Sequence, residues 1–200
     1  PEIVAATAPE LTITGGEHPL LPSDGAVAND VQLGGALRLA IVTGSNMAGK
    51  STYLRMAALA VVMAQIGCPV RARAMRLTPL ALHANINVRD SLADGKSYFL
   101  VEVERVRDIL AAAAQGPLVL GVFDELFRGT NAHERLAASR EIARTLATSG
   151  GLFLLATQYG FGRRDPLAVE HRLQDPMVVR VRELRGLAAA ANTKEELGEL

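Results

Sequence analysis

Two hundred residues, 49% hydrophobic and 21% charged, can bury a real core and are too apolar for a disordered chain. The formal net charge is zero, so no global field favours DNA or an anionic membrane. One cysteine, Cys68, excludes an internal disulfide and fits a reducing, cytoplasmic compartment. No secretory leader is recognisable, and the apolar runs are too short or interrupted to span a bilayer, so no membrane partner is expected.

Residues 1–36 read as short extended pieces, punctuated by Gly15-Gly16, Pro19 and Pro22. Alternation in the second half of 27–33 predicts a strand, and Gly34-Gly35 turns the chain into the next. Residues 37–43 are apolar and partly β-branched, as a buried strand should be. Then comes Gly44-Ser45-Asn46-Met47-Ala48-Gly49-Lys50-Ser51, which fits the phosphate-loop pattern G-x-x-x-x-G-K-[ST] at every fixed position. Residues 51–66 follow as a helix-like run with Leu54, Ala57, Ala58, Val61, Val62 and Ala64.

That order has a physical meaning. Gly44 and Gly49 allow a tight turn that brings backbone N–H groups close to phosphate oxygens. The helix N-terminus adds free N–H groups and partial positive charge. Lys50 supplies a point charge for the β- and γ-phosphates, and the Ser51 hydroxyl can ligate a bridging Mg²⁺. The expected phosphate contacts are Gly44, Ser45, Asn46, Met47, Ala48, Gly49, Lys50, Ser51 and Thr52.

Gly67 and Pro69 end this helix. Residues 70–76 carry Arg71, Arg73 and Arg76, read first as a solvated strand face and second as a phosphate or partner contact. Residues 80–88 alternate at period two. This predicts a strand burying Leu80, Leu82, Ala84, Ile86 and Val88, with His83, Asn85 and Asn87 on the opposite face. A polar loop, 89–96, precedes a helix that starts near Ser97, a residue of N-cap type. Its apolar stripe is expected to be Phe99, Val103, Val106 and Leu110, with Glu102, Glu104, Arg105, Arg107 and Asp108 over much of the remaining surface. Gly116-Pro117 stops it.

Residues 118–125 form a continuous apolar strand that ends in Asp124 and Glu125. Ligands of parallel sheets sit beyond the carboxyl ends of strands, which places both acids beside the phosphate loop. One can hold Mg²⁺ and the other can deprotonate an attacking water. Asn131 or Thr130 caps a helix over 132–148, and Gly150-Gly151 closes it. Residues 152–157 read as another buried strand, whose successor Gln158 should point toward the nucleotide. Residues 177–181 suggest a further strand, 187–191 are alanine-rich, and 193–200 form a charged tail. The alternation of strands and helices predicts an α/β fold, a three-layer P-loop NTPase with a mainly parallel central sheet. Residues 1–36 lead in, 37–160 form the core and 161–200 diverge, all within one domain.

The motifs together resemble the ATPase domain of MutS-type mismatch repair proteins. The match runs in order from about Gly16 to Gly160. It rests on His18-Pro19-Leu20-Leu21, Ala28-Asn29-Asp30, and the loop core Asn46-Met47-Ala48-Gly49-Lys50-Ser51-Thr52. It rests equally on residues 90–102 with Asp94-Gly95-Lys96-Ser97 at their centre, and on Asp124-Glu125-Leu126-Phe127-Arg128-Gly129-Thr130-Asn131.

The resemblance implies a dimeric ATPase of the ABC type that uses ATP and Mg²⁺. Each nucleotide would lie between one phosphate loop and the partner's serine, here Ser97 acting in trans. It further implies that Lys50 and Ser51 hold phosphate and Mg²⁺, Asp124 supports Mg²⁺ and Glu125 is the catalytic base. The dimer, homo- or heteromeric, would form through the ATPase face, and DNA would be met through domains absent from this chain. Five departures stand out. Ser45 replaces a usual Pro, Gln158 a usual His, and Ala26-Val27 an aromatic that stacks on adenine. Asn131-Ala132-His133-Glu134-Arg135 lacks an Asp-Gly pair, and the tail does not match the family's dimerisation segment. The leading expectation is an ATP-hydrolysing module of a mismatch repair protein, slow and dimer-dependent, driving a DNA clamp. The alternatives are an ABC-type ATPase serving recombination or another DNA process, and a poorly hydrolysing nucleotide-binding assembly module.

Overall fold

The computed structural model describes residues 1–24, 26–44, 48–86, 98–116, 118–127, 130–158, 168–172 and 180–185. The chain runs β1 (Glu2–Ile3), β2 (Glu10–Gly16), β3 (Asn29–Gly34), β4 (Leu37–Thr43), α1 (Lys50–Gln65), β5 (Ala74–Leu77) and β6 (Ala81–Asn85). It continues with α2 (Tyr98–Gln115), β7 (Val119–Asp124), α3 (Ala132–Thr148), β8 (Leu152–Thr157), β9 (Ala168–Arg172) and β10 (Arg180–Arg185). The sheet path is β1-β5-β2-β3-β4-β8-β7-β6, with β10 pairing β4 and β9.

The sheet is mixed, which corrects the expectation of a mainly parallel one. Strands β4, β8, β7 and β6 pair in parallel. By contrast β5-β2, β2-β3, β3-β4, β4-β10 and β10-β9 pair antiparallel. For the β3-β4 hairpin and the parallel β4-β8-β7-β6 block the reason lies in the connections; β1 also pairs in parallel with β5. Parallel neighbours need a crossover of a dozen residues or more, usually a helix, whereas short turns join antiparallel strands. The helices α1, α2 and α3 all fall after residue 49, and the two-residue turn after Gly34 makes β3-β4 a hairpin. Among the described residues after 160, β10 pairs along β4 and β9 pairs along β10.

Two hydrophobic clusters flank the sheet. On one face α1 buries Leu54, Ala57, Val61 and Ala64 against Leu11, Val31, Val42, Val122 and Leu154. Complete burial of a side chain such as Leu54 or Val61 stabilises by about 1.5–3 kcal/mol. On the other face α2 and α3 pack Val106, Ile109, Ala143 and Leu146 against Leu39, Ile41, Phe123, Phe153 and Leu155. Gly121 in β7 is explained by this layer, because a Cβ there would lie 2.6 Å from the Phe153 ring.

Two predicted faces are corrected. Along α2 the buried positions are Glu102, Val106, Ile109 and Ala113, while Phe99 and Val103 are exposed. Along β6, Leu82 and Ile86 pack on the α1 side as expected, but Ala84 is exposed and Asn85, on the opposite face, is buried and not solvated. Asn85 pairs in register with Phe123 and so shares the face covered by α2. The arginines of residues 70–76 serve the fold. Arg71 reaches the carbonyls of His18 and Leu21, the Ser23 hydroxyl and Glu17 at 2.6 Å, clasping the loop after β2. Arg76 pairs with Glu2 and with Glu10.

Asn131, not Thr130, caps α3: its side chain accepts the Glu134 N–H at 2.9 Å, while Thr130 donates to the Glu134 carboxylate. Asn131→Ala is expected to cost about 1 kcal/mol. That loss should lower the thermal midpoint by about 2–4 °C in a chain of this size, read by calorimetry.

Candidate functional site

The site forms where three parallel strands end together. Thr43 pairs with Thr157 across β4 and β8, and Asp124 pairs with Ala156 across β7 and β8. Gly44, Glu125 and Gln158 therefore leave the sheet side by side. The Glu125 N–H donates to the Ala156 carbonyl at 2.9 Å, which ties the acidic strand end to its neighbour.

Helix α1 starts at the same edge. Its N-cap is Gly49, left-handed at φ 83°, a conformation glycine adopts without penalty. Gly49 makes no side-chain cap hydrogen bond at this end of the helix. Lys50, 5% exposed, donates to the Gly44 carbonyl at 2.9 Å and stands 4.0 Å from a Glu125 carboxylate oxygen. Its ammonium thus lies between the two ends of the glycine-rich turn and the second acid.

Ser51 and Asp124 meet directly. The Ser51 hydroxyl donates to Asp124 Oδ2 at 2.6 Å across 73 residues of sequence. Asp124 is buried at 5% exposure. Two oxygen donors side by side, one anionic, suit a hard cation such as Mg²⁺, which takes one or two protein ligands and completes its shell with phosphates and water. No group of three His, Cys, Asp or Glu side chains able to hold a metal occurs among the described residues.

Of the predicted site residues, the structure brings Gly44, Gly49, Lys50, Ser51, Asp124 and Glu125 into one cluster. Ala48 is buried in the core on the α1 face, and Thr52 is exposed in the first turn of α1. Gln158 is half-buried at the end of β8. Ser45, Asn46, Met47 and Ser97 lie outside the described residues, as does the 87–97 segment.

Other residues, with no role of their own assigned from the sequence, make further contacts around α1. Tyr53, one turn into α1, donates its hydroxyl to the Asp30 carbonyl at 3.0 Å, while the Asp30 carboxylate accepts the Gly15 N–H at 2.6 Å. This brace ties α1 to β2 and β3. His18 sits near Arg55 of α1. Burial first, and then the charges of Arg55 and Arg71, hold its imidazole below the ordinary value of 6.5. The ring Nδ1 accepts the Leu20 N–H at 3.3 Å. Glu102 was also missed. An acid four residues before Val106 and seven before Ile109 falls on the helix stripe those residues define.

These features define an α/β protein whose charged and hydroxyl groups converge at the carboxyl ends of its parallel strands. The family model described as MutS domain V matches residues 40–165, from within β4 to beyond β8. That span exceeds half of the chain, and the protein belongs to the MutS domain V family. The candidate cluster falls wholly within the matched span. Among the described residues, no helix is long and apolar enough to cross a membrane.

Proposed function

We propose that this chain is the ATP-binding and ATP-hydrolysing module of a MutS-like mismatch repair protein, built as an ABC-type P-loop ATPase. The observation that carries the reading is the 2.6 Å contact between Ser51 and Asp124. It joins the end of the glycine-rich loop to the acidic strand end, as a shared Mg²⁺ site requires.

On this reading the N–H groups of the turn and of the first turn of α1 bind the phosphates, from Gly44 through Ser45, Asn46, Met47, Ala48 and Gly49 to Thr52. Lys50 gives up its contact with Glu125 to face the β- and γ-phosphates. Ser51 and Asp124 would hold Mg²⁺, which when bound would supply positive charge against the phosphate oxygens. Glu125 takes the proton of the water that attacks the γ-phosphorus, as the bond to the bridging oxygen breaks and ADP leaves. Gln158 donates through its amide near the transferred group but cannot exchange a proton. Ser97 completes the partner's site in a homo- or heterodimer, and ATP turnover drives a clamp on DNA through domains outside this chain.

Gln158 favours a second reading, in which the module binds nucleotide for assembly and hydrolyses it slowly. A role in recombination or another DNA process would use the same site. Mg²⁺-dependent turnover per subunit, measured across protein concentration, separates these. A shared site predicts specific activity that rises with concentration. In addition, a mixture of Ser97→Ala and Lys50→Ala proteins should regain turnover, because one interface is then intact. Turnover that is concentration-independent and not rescued by mixing would rule out the site shared between subunits. Tight Mg²⁺-ATP binding without turnover would select the assembly module.

A further inference from the structure

Glu102 is a carboxylate in the interior. It is 1% exposed, in line with Val106, Ile109 and Ala113 on the buried face of α2. Its Oε1 accepts the N–H of Phe127 at 2.8 Å, a contact that spans 25 residues of sequence.

Phe127 belongs to an unusual turn. Glu125 has φ 53° and Phe127 φ 60°, both in the left-handed region that residues with a Cβ rarely enter. Such backbone persists only where its surroundings over-determine it. Here the Glu125 N–H is bound to Ala156 of β8, Leu126 is buried at 2% exposure, and the Phe127 N–H is bound to Glu102. The Phe127 ring also lies 5.8 Å from the ring of Phe99, one turn before Glu102 on α2. Helix α2 thus holds Phe127 by backbone and ring together. Between the two anchored N–H groups stands Glu125, whose carboxylate is 4.0 Å from Lys50.

We infer that Glu102 is a positioning residue: its carboxylate locks the turn at 125–127 so that Glu125 faces the phosphate loop. The inference rests on the ATPase reading above and deepens it. Glu102 contacts neither phosphate nor water on this account. It acts by restricting where the Glu125 carboxylate can be when hydrolysis occurs.

The test compares the parent protein with Glu102→Gln, Glu102→Asp and Glu102→Ala. Gln keeps length and an acceptor oxygen. Asp keeps the carboxyl group but is one methylene too short to reach Phe127. Single-turnover hydrolysis, ATP affinity by calorimetry and the exchange rate of the Phe127 amide are measured for each. Asp and Ala should slow hydrolysis at least about tenfold while ATP affinity stays within about twofold, and Gln should stay within about threefold of the parent. The Phe127 amide should exchange at least about tenfold faster in Asp and Ala. If Ala does not fold, Asp and Gln decide. Asp at the parent rate overturns the inference, as does Gln as slow as Asp, or affinity that falls in step with turnover. A parent protein that does not hydrolyse ATP defeats the ATPase reading and the inference with it. A parent that turns over and is matched by Asp defeats the inference alone.

Discussion

Glu125→Gln is expected to slow ATP hydrolysis by about 10²-fold or more while ATP still binds. That corresponds to roughly 2.7 kcal/mol of barrier. The amide has nearly the carboxylate's shape and keeps an oxygen that can orient water, but it cannot take a proton. The surroundings make this substitution a clean one. The Glu125 N–H stays bound to Ala156, and the Glu102 contact to Phe127 is untouched, so the turn should hold. Affinity should hold or rise, because the Lys50 ammonium, 4.0 Å from Glu125 without nucleotide, loses a competing anion. The decisive measurement is single-turnover hydrolysis at saturating ATP, with binding followed separately. A Gln protein that hydrolyses at the parent rate would remove Glu125 from the base role and leave the proton to bulk water or to another group.

The elements that position the site were legible because each carries several agreeing signals. Strands β7 and β8 are apolar runs and β4 is one apart from Arg38, and the structure ends them at Thr43, Asp124 and Thr157, within one residue of where composition changes. Helix α1 starts at Lys50, where the glycine pattern stops, and α3 starts after its Asn131 cap. Local chemistry decides all of these. The pairing direction of the sheet is different in kind. It depends on which distant segments come to lie side by side: β1 pairs in parallel with β5, while β2-β5 and β4-β10 are antiparallel neighbours far apart in sequence.

The two misread faces share one cause. Hydrophobic periodicity assumes that buried positions are apolar, and α2 and β6 each bury one polar residue near the site. In α2 this shifted the predicted stripe by one position, from Phe99 and Val103 to the line through Glu102 and Val106. In β6 it put Asn85 on the correct face, opposite Leu82 and Ile86, but read that face as solvated, whereas its register partner Phe123 lies in the core under α2. Tertiary contacts created these sites: Glu102 is buried because the turn after β7 presents an N–H to it. Neither that turn nor its left-handed backbone is written in residue type, since Glu125 and Phe127 are not residues that favour positive φ. Local rules fail here beside the proposed catalytic group, a common place for them to fail.

Lys50→Ala is expected to weaken ATP binding at least about tenfold, the effect of losing one charge-assisted contact of about 1.5–3 kcal/mol. Two effects add in the same direction. The first is the loss of the point charge that would face the β- and γ-phosphates. The second is local. Lys50 donates to the Gly44 carbonyl at 2.9 Å, so its ammonium also links the two ends of the glycine-rich turn. Without that link the N–H groups of the turn must be ordered by the nucleotide itself, at the expense of binding free energy. There is also an electrostatic consequence. Glu125, 18% exposed, would face incoming phosphate with the Lys50 ammonium gone, and like charges repel. Combining Lys50→Ala with Glu125→Gln separates the terms. If repulsion matters, the double variant should bind ATP more tightly than Lys50→Ala alone; if only the phosphate contact matters, the two should bind alike. Calorimetric titration with Mg²⁺-ATP reads both. Parent-like affinity in Lys50→Ala would mean that the glycine-rich turn is not where the phosphates bind.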